Sequence, residues 1–476
     1  MKKILFLAII LLVFSACVYS AELQKMMFPD QGIWGVNIHE PGMIKNEIGV
    51  QWCRYDIFWP YIEAEEGKFD FTEEDKALEC FKSQGIRPFF IFNCGIIPDW
   101  YKLDKNNLDD LYAHIDIFAK EVAKHYKNEV DIIWELGNEP ETFHLGDVWN
   151  KPENYVRYAR LVAKDLKAVQ PKWKTGACSV AWMDKPFLEA CMKEGLLDDK
   201  TIDIITFHGY HRPTLNVEDR LGEDIEYIRG LIDTYAPAGH FMTLVDSERG
   251  VSLMKEGDTR PWFNCTNHVI NTTFQAQCLA RHYLEEMYHQ IELAVWYVYM
   301  PGERDFQLYN GLSESDGLVP AGYVYKNLST LLKENSVKLV NNKYEYTLSG
   351  ENSDKLITRS YHSKKKYNRK NDRLFITAWN PVVAAEGKIL EETLEVGENK
   401  DVLRKFRPVT DNDIVDVTYD ITVENIKKVK SVQLFDITVT DFEKGYKKAD
   451  YEIKGNNLII KNVTCNAMPS MVIIDL

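Results

Sequence analysis

The sequence predicts a (β/α)8 barrel followed by an all-β, sandwich-like module, and three observations carry that expectation. Eight short apolar runs alternate with amphipathic helical patterns over roughly the first 335 residues. The runs are almost continuously apolar, as strands covered on both faces must be. After about residue 335 helical spacing stops, and short strand patterns alternate with turn signals such as Ser349-Gly350, Asn380-Pro381 and Gly455-Asn456-Asn457.

In chain order, the expected barrel strands are 32–39, 51–59, 87–93, 130–136, 174–181, 202–208, 241–246 and 293–299. Between them, Leu111, Ile115, Phe118 and Val122 recur at helical spacing, as do Tyr155, Tyr158, Val162, Leu166 and Val169. Asn107, Asp109 and Asp110 stand where a helix start has unpaired N–H groups to satisfy. A helical run over 322–333 closes the series. The rival architecture, an open doubly wound sheet, lacks the GxGxxG that would follow its first strand. In the module, strands are expected at 374–379, 416–423, 432–435, 451–453, 458–460 and 471–474. The expected division is 1–21 export signal, 22–335 barrel and 336–476 β module.

Composition narrows the partners. The formal net charge is -15 with no extended basic block, which argues against nucleic acid, whose phosphates demand clustered Lys and Arg. The basic run at 364–370 reads as a solvated loop. Lys2 and Lys3 precede an apolar run at 4–14 that is too short to span a membrane, as in an export signal. Two processing routes compete there: cleavage before Ala21, or lipidation of Cys17 in the lipobox-like Phe14-Ser15-Ala16-Cys17. The expected location is therefore periplasmic, cell-surface as a lipoprotein tethered through Cys17, or secreted. No cysteine pair has CxxC or zinc-ligand spacing, so buried free thiols are expected.

Two glutamates carry the chemistry. Trp134-Glu135-Leu136-Gly137-Asn138-Glu139-Pro140 and Leu244-Val245-Asp246-Ser247-Glu248-Arg249-Gly250 are each a short apolar run leading into an acidic turn. Breaking a glycosidic bond needs one carboxyl group to protonate the leaving oxygen and a second to attack or stabilise the sugar carbon. In barrels of this kind such groups stand at the C-terminal strand ends, where both glutamates fall. Asp246 is the rival to Glu248; strand alternation puts the two on one face, with Asp246 a layer deeper.

With those motifs in view, residues 30–335 resemble the clan A glycoside hydrolases, retaining β-glycosidases on a (β/α)8 barrel. The resemblance implies that Glu139, after Asn138 at the end of strand four, is the acid/base, and that Glu248 on strand seven is the nucleophile. It implies that Arg54 keeps Glu248 ionised, that Asn138 bonds the sugar 2-hydroxyl, and that Tyr210 in His208-Gly209-Tyr210 donates to the nucleophile. His208 is a further pocket residue, with His211 and His39 weaker candidates. Trp296 and Trp100 match sugar-platform positions, and Trp59, Trp182 and Trp262 are further candidates, whereas Trp52 and Trp134 belong to the core. Pro98-Asp99-Trp100 and the β module resemble family 39; the His-x-Tyr pattern resembles family 5, although Asn93 stands where that family carries His. The implied activity is hydrolysis of oligo- or polysaccharides with no cofactor. The histidines come from separate strands without helical metal-ligand spacing, so no metal site is expected. The alternative is a catalytically inactive barrel serving as a glycan-binding surface lipoprotein.

Overall fold

The computed structural model describes residues 26–476 except 41, 43, 143–145, 211–215, 254–267, 270–271, 301–310, 315–316, 334–336, 340–343, 364–371, 383–384, 387–390, 397–398, 405–406, 409–413 and 427. The export signal with Cys17, the basic run at 364–370, His211, Trp262 and Cys265 therefore lie outside the described residues, as does the side chain of Trp182.

Eight parallel strands close into a barrel: β1 (Trp34–Asn37), β2 (Trp52–Phe58), β3 (Arg87–Asn93), β4 (Ile133–Leu136), β5 (Lys174–Val180), β6 (Ile204–His208), β7 (Thr243–Arg249) and β8 (Leu293–Trp296). Each pairs with its sequence neighbours, and β8 closes on β1. All eight expected strands are present. Strand seven differs in its bounds: it runs on to Arg249, so Glu248 lies within the strand.

Among the described residues, seven longer helices cover the barrel: α1 (Thr72–Ser83), α2 (Asp109–Tyr126), α3 (Pro152–Val169), α4 (Lys185–Lys193), α5 (Val217–Tyr235), α6 (Thr272–Tyr288) and α7 (Pro320–Leu331). The apolar stripes expected of α2 and α3 are buried, save Val169 at the end of α3, which is exposed. Asp109 and Asp110 lie in the first turn of α2, and the Asn107 side chain accepts the Asp109 N–H at 3.3 Å.

Period-two alternation sets the barrel interior. Trp52, Phe89, Ile133, Ile204, Val245 and Leu293 point inward and pack with Phe28 into one apolar plug. The Glu292 carboxylate holds this end shut by accepting the Met27 and Phe28 N–H groups. Two residues further along β2, β4 and β6, the inward positions carry Arg54, Glu135 and Thr206. The interior thus turns from apolar to polar toward the C-terminal strand ends.

β7 breaks this alternation. Phe207 pairs with Asp246 but His208 with Glu248, and on the other side Ala294 pairs with Asp246 but Trp296 with Arg249. β7 therefore holds one residue more than either neighbour, a β-bulge. Asp246 and Glu248 were expected on one face; the bulge separates them. Asp246 turns outward among the helices, where it pairs with Arg249, and Glu248 turns inward.

Beyond α7 the chain forms two main antiparallel sheets from β9 (Val337–Leu339), β10 (Tyr346–Ser349), β11 (Ile357–Ser363), β12 (Arg373–Trp379), β13 (Val417–Val423), β14 (Ser431–Phe435), β15 (Tyr446–Lys448), β16 (Asp450–Lys454), β17 (Asn457–Cys465) and β18 (Ser470–Asp475). One has the order β9-β11-β12-β18-β14-β15, the other β10-β13-β17-β16. Alternate residues such as Ile376, Ile421, Ile460 and Ile474 pack between them as in a sandwich. The other face of the larger sheet lies on the barrel: Tyr361 OH donates to the Leu284 carbonyl of α6 at 2.7 Å. Arg281 of α6 pairs with Glu218 of α5 and donates to the Val382 carbonyl, while the Trp379 indole donates to the same Glu218. The module therefore braces α5 and α6.

Removing one partner of this buried pair strands the other charge. Arg281→Leu is expected to cost about 3–5 kcal/mol in denaturant titrations followed by tryptophan fluorescence. A change under about 1 kcal/mol would mean the contact does not brace the fold.

Candidate active site

The polar layer is organised around one cation. Arg54 of β2 is fully buried, and each of its five N–H groups faces a separate partner. Nε donates to Glu135 Oε2 at 2.7 Å, and Nη1 to Asn37 Oδ1 at 3.1 Å and Glu248 Oε2 at 2.8 Å. Nη2 donates to Asn138 Oδ1 at 2.6 Å and faces His208 Nε2 at 3.5 Å, an acceptor while the ring is neutral. Burial works against the guanidinium charge, but Glu135, Glu248 and Asp56 overcome it and raise its pKa, so Arg54 stays cationic.

Glu248 is held from two sides. Arg54 binds one carboxylate oxygen, and Tyr210, on the chain leaving β6, donates its hydroxyl to Oε1 at 2.8 Å. Glu139 is held differently. Its Oε1 lies 2.7 Å from His208 Nδ1, and its N–H donates to the Ser179 carbonyl at 3.2 Å. The backbone there is left-handed, φ 89° at Gly137 and 41° at Glu139. That conformation is unfavourable for a residue with a side chain and persists only where its surroundings enforce it. β5 supplies the enforcement: Ser179 donates its hydroxyl to the Gly137 carbonyl at 2.9 Å, and Tyr155 of α3 donates to the Leu136 carbonyl at 2.8 Å.

The two glutamates converge on His208. One ligand-type atom each of Glu139, His208 and Glu248 lies within 4.8 Å of the others. A metal ion could use that spacing, but Arg54 already supplies positive charge there, and a second cation would have to compete with it. His208 is fully buried between the carboxylates. Burial alone would lower its pKa; Glu248 and then Glu139 outweigh it and raise it to about 8.

The other expected residues separate. Asn138 belongs to the cluster, and because Arg54 takes its carbonyl oxygen, its amide NH2 is the group left to meet a ligand. Trp100 is held elsewhere: its indole donates to the Glu63 carbonyl at 2.7 Å, and its ring meets Trp59, Tyr101 and His114. Trp296 is fully buried in the helix-covered core with Ala294, whereas Leu293 and Val295 line the interior. Alternation thus turns Trp296 outward and makes Tyr297 the next inward residue, where its hydroxyl lies 2.9 Å from His39 Nε2. Trp59 is likewise fully buried, as are Trp52 and Trp134, both expected in the core. The cysteines among the described residues are free, and all but Cys80 are buried.

Sequence reasoning missed Glu135, Asn37, Tyr297 and Glu141. An acid inside the apolar run Ile132-Ile133-Trp134-Glu135-Leu136 was the available signal for Glu135, since a carboxylate there needs a buried cation. Glu141 is half-buried and accepts the Ala181 N–H. Burial, with the charge of Glu139 adding, pushes its carboxyl up to about 8, so it is neutral at pH 7.

No family model matches the sequence. Endoglucanase A of Butyrivibrio fibrisolvens is 28% identical over 179 residues, 33% of this chain and 37% of that protein. The chain thus spans little more than a third of the length of this curated relative. Among solved structures, a monomeric β-xylosidase from Caulobacter crescentus superposes with a TM-score of 0.58 at 15% identity, over 93% of this chain and 96% of its own. A glucosidase from Croceicoccus marinus gives 0.59 at 14% identity, over 94% and 96%. At such identities the likeness is one of fold, and it takes in the β module as well as the barrel.

A carboxyl whose folded pKa lies above its unfolded value stabilises the protein below the unfolded value, near 4.5, and that stability is lost as pH rises through about 8. Glu141→Gln should therefore raise the thermal midpoint more at pH 9 than at pH 5. An equal shift at both would place the titration elsewhere.

Proposed function

We propose that this chain is an exported retaining β-glycosidase acting on oligo- or polysaccharides, with Glu248 as nucleophile and Glu139 as acid/base. The observation carrying the proposal is the approach of the two carboxyl groups to within 4.8 Å, measured between one oxygen of each. Retaining enzymes place these groups about 5–5.5 Å apart, whereas inverting enzymes leave roughly 6.5–9.5 Å for a water molecule.

The partners of each glutamate support the division of labour. Arg54 and Tyr210 each donate to one oxygen of Glu248, which fixes the orientation of the attacking carboxylate. Attack on the anomeric carbon forms the glycosyl-enzyme while Glu139 protonates the departing oxygen. Glu139 then takes a proton from water, whose oxygen attacks the same carbon and frees Glu248. His208, bonded to Glu139, positions that carboxyl group as its proton leaves and returns. The Asn138 amide would donate to the sugar 2-hydroxyl, a contact that strengthens in the transition state. Tyr297 and His39, rather than Trp296, offer ring surface and hydrogen bonds to the sugar on the β8–β1 side. Export, with or without a lipid on Cys17, follows from the charged and apolar N-terminal run.

Glu139→Gln and Glu248→Gln should each lower kcat on aryl β-glycosides by about 10²–10⁴-fold or more. Proton NMR of the first product should show the β-anomer. Release of the α-anomer would assign inversion, and unchanged rates in both variants would remove these residues from the chemistry.

A further inference from the structure

On the outer side of β7 lies a second charged cluster that no step of this mechanism uses. Asp246, Arg249 and Glu286 are each fully buried, and His282 nearly so. Arg249 Nε donates to Asp246 Oδ2 at 2.7 Å, Nη2 reaches both Asp246 and Glu286, the latter at 2.5 Å, and Nη1 contacts His282 Nδ1. Two carboxyl groups on one guanidinium would leave a net negative charge in a dry environment. Burial, together with the charge of Asp246, pushes the pKa of the Glu286 carboxyl well above its usual range.

This cluster sits where β7 departs from regular alternation. Val245 points into the barrel, so in a regular strand Asp246 points out, Ser247 in and Glu248 out. Glu248 reaches Arg54 only because β7 carries an extra residue at this point. Asp246 and Arg249 flank the extra residue and clamp it from outside. The clamp extends to β6: the Gly209 N–H donates both to Asp246 Oδ1 at 3.0 Å and to the Glu248 carbonyl at 3.1 Å. A Cβ on Gly209 would lie 2.0 Å from Asp246 Oδ2 and 2.2 Å from Arg249 Nη2, so only glycine fits beneath the pair. The next residue is Tyr210, the second donor to Glu248.

We propose that Asp246, Arg249 and Glu286 are positioning residues that lock the bulge of β7, thereby turning Glu248 into the barrel and setting Tyr210 against it. None of them touches the reacting atoms. The kinetic part of the proposal rests on the glycosidase reading above; the geometric part does not.

Asp246→Asn keeps the shape and removes the charge that Arg249 grips. A displacement of about 1 Å at a reacting group costs on the order of 10²-fold, so kcat on an activated aryl glycoside should fall about 100-fold with KM within about twofold. In a Glu248→Gly background, external azide attacks the anomeric carbon, forming the glycosyl azide and expelling the phenol. That nucleophile is not on β7, so adding Asp246→Asn should change the azide-driven rate by less than about threefold. A wild-type kcat in Asp246→Asn, or an equal loss in the azide reaction, would overturn the proposal. A crystal structure of the variant decides the geometry even if the wild type proves inactive on glycosides: Glu248 displaced from Arg54 and Tyr210 supports it, and Glu248 unmoved overturns it. If Asp246→Asn does not fold, Glu286→Ala, which loosens the clamp from the α6 side, is read by the same three measurements.

Discussion

A guanidinium buried in the barrel interior is the constraint around which the site is built. Removing a cation from water is costly unless charge and hydrogen bonds replace what water supplied. Arg54 obtains both from three strands at once: Asn37 from β1, Glu135 and Asn138 from β4 and its turn, and Glu248 from β7. Each of these groups is thereby drawn to the same point, and none can move without leaving an N–H unmatched. The proximity of Glu139 and Glu248 follows, because His208 joins the first to this cluster and Arg54 the second.

The two glutamates are presented by opposite backbone devices. Glu139 sits on a left-handed turn that β5 pins through Ser179. Glu248 stays within its strand and is turned by an inserted residue that a buried charge cluster clamps from outside. Both devices place local strain or buried charge where geometry matters, and the apolar plug below and the helices around them supply the stability that tolerates it. The β module contributes from the outside by bracing α5 and α6, and α6 carries Glu286 and His282 to the back of β7.

Much of this was legible in the sequence. Strands buried on both faces cannot hide their apolar runs, so all eight emerged in order, and Glu139, Glu248, Arg54, Asn138 and Tyr210, singled out in the sequence, lie in one cluster. What escaped depended on register. Whether Asp246 shares a face with Glu248, or Trp296 with the barrel interior, turns on single-residue shifts that a strand pattern does not encode. Glu135 was concealed because its partner is 81 positions away in the chain. In the module, β9, β10, β11 and β15 went unread: β9 and β15 are three residues long, and β10 and the first half of β11 bury no residue fully.

The central claim is that Glu248, turned inward and held by Arg54 and Tyr210, is the group that bonds to the sugar. A 2-deoxy-2-fluoro glycoside with a good leaving group slows breakdown of the glycosyl-enzyme more than its formation, which allows the labelled peptide to be identified by mass spectrometry. The account predicts one label per chain, on Glu248. A label on Asp246 or on Glu139, or undiminished turnover of a substrate with no label anywhere, would contradict it.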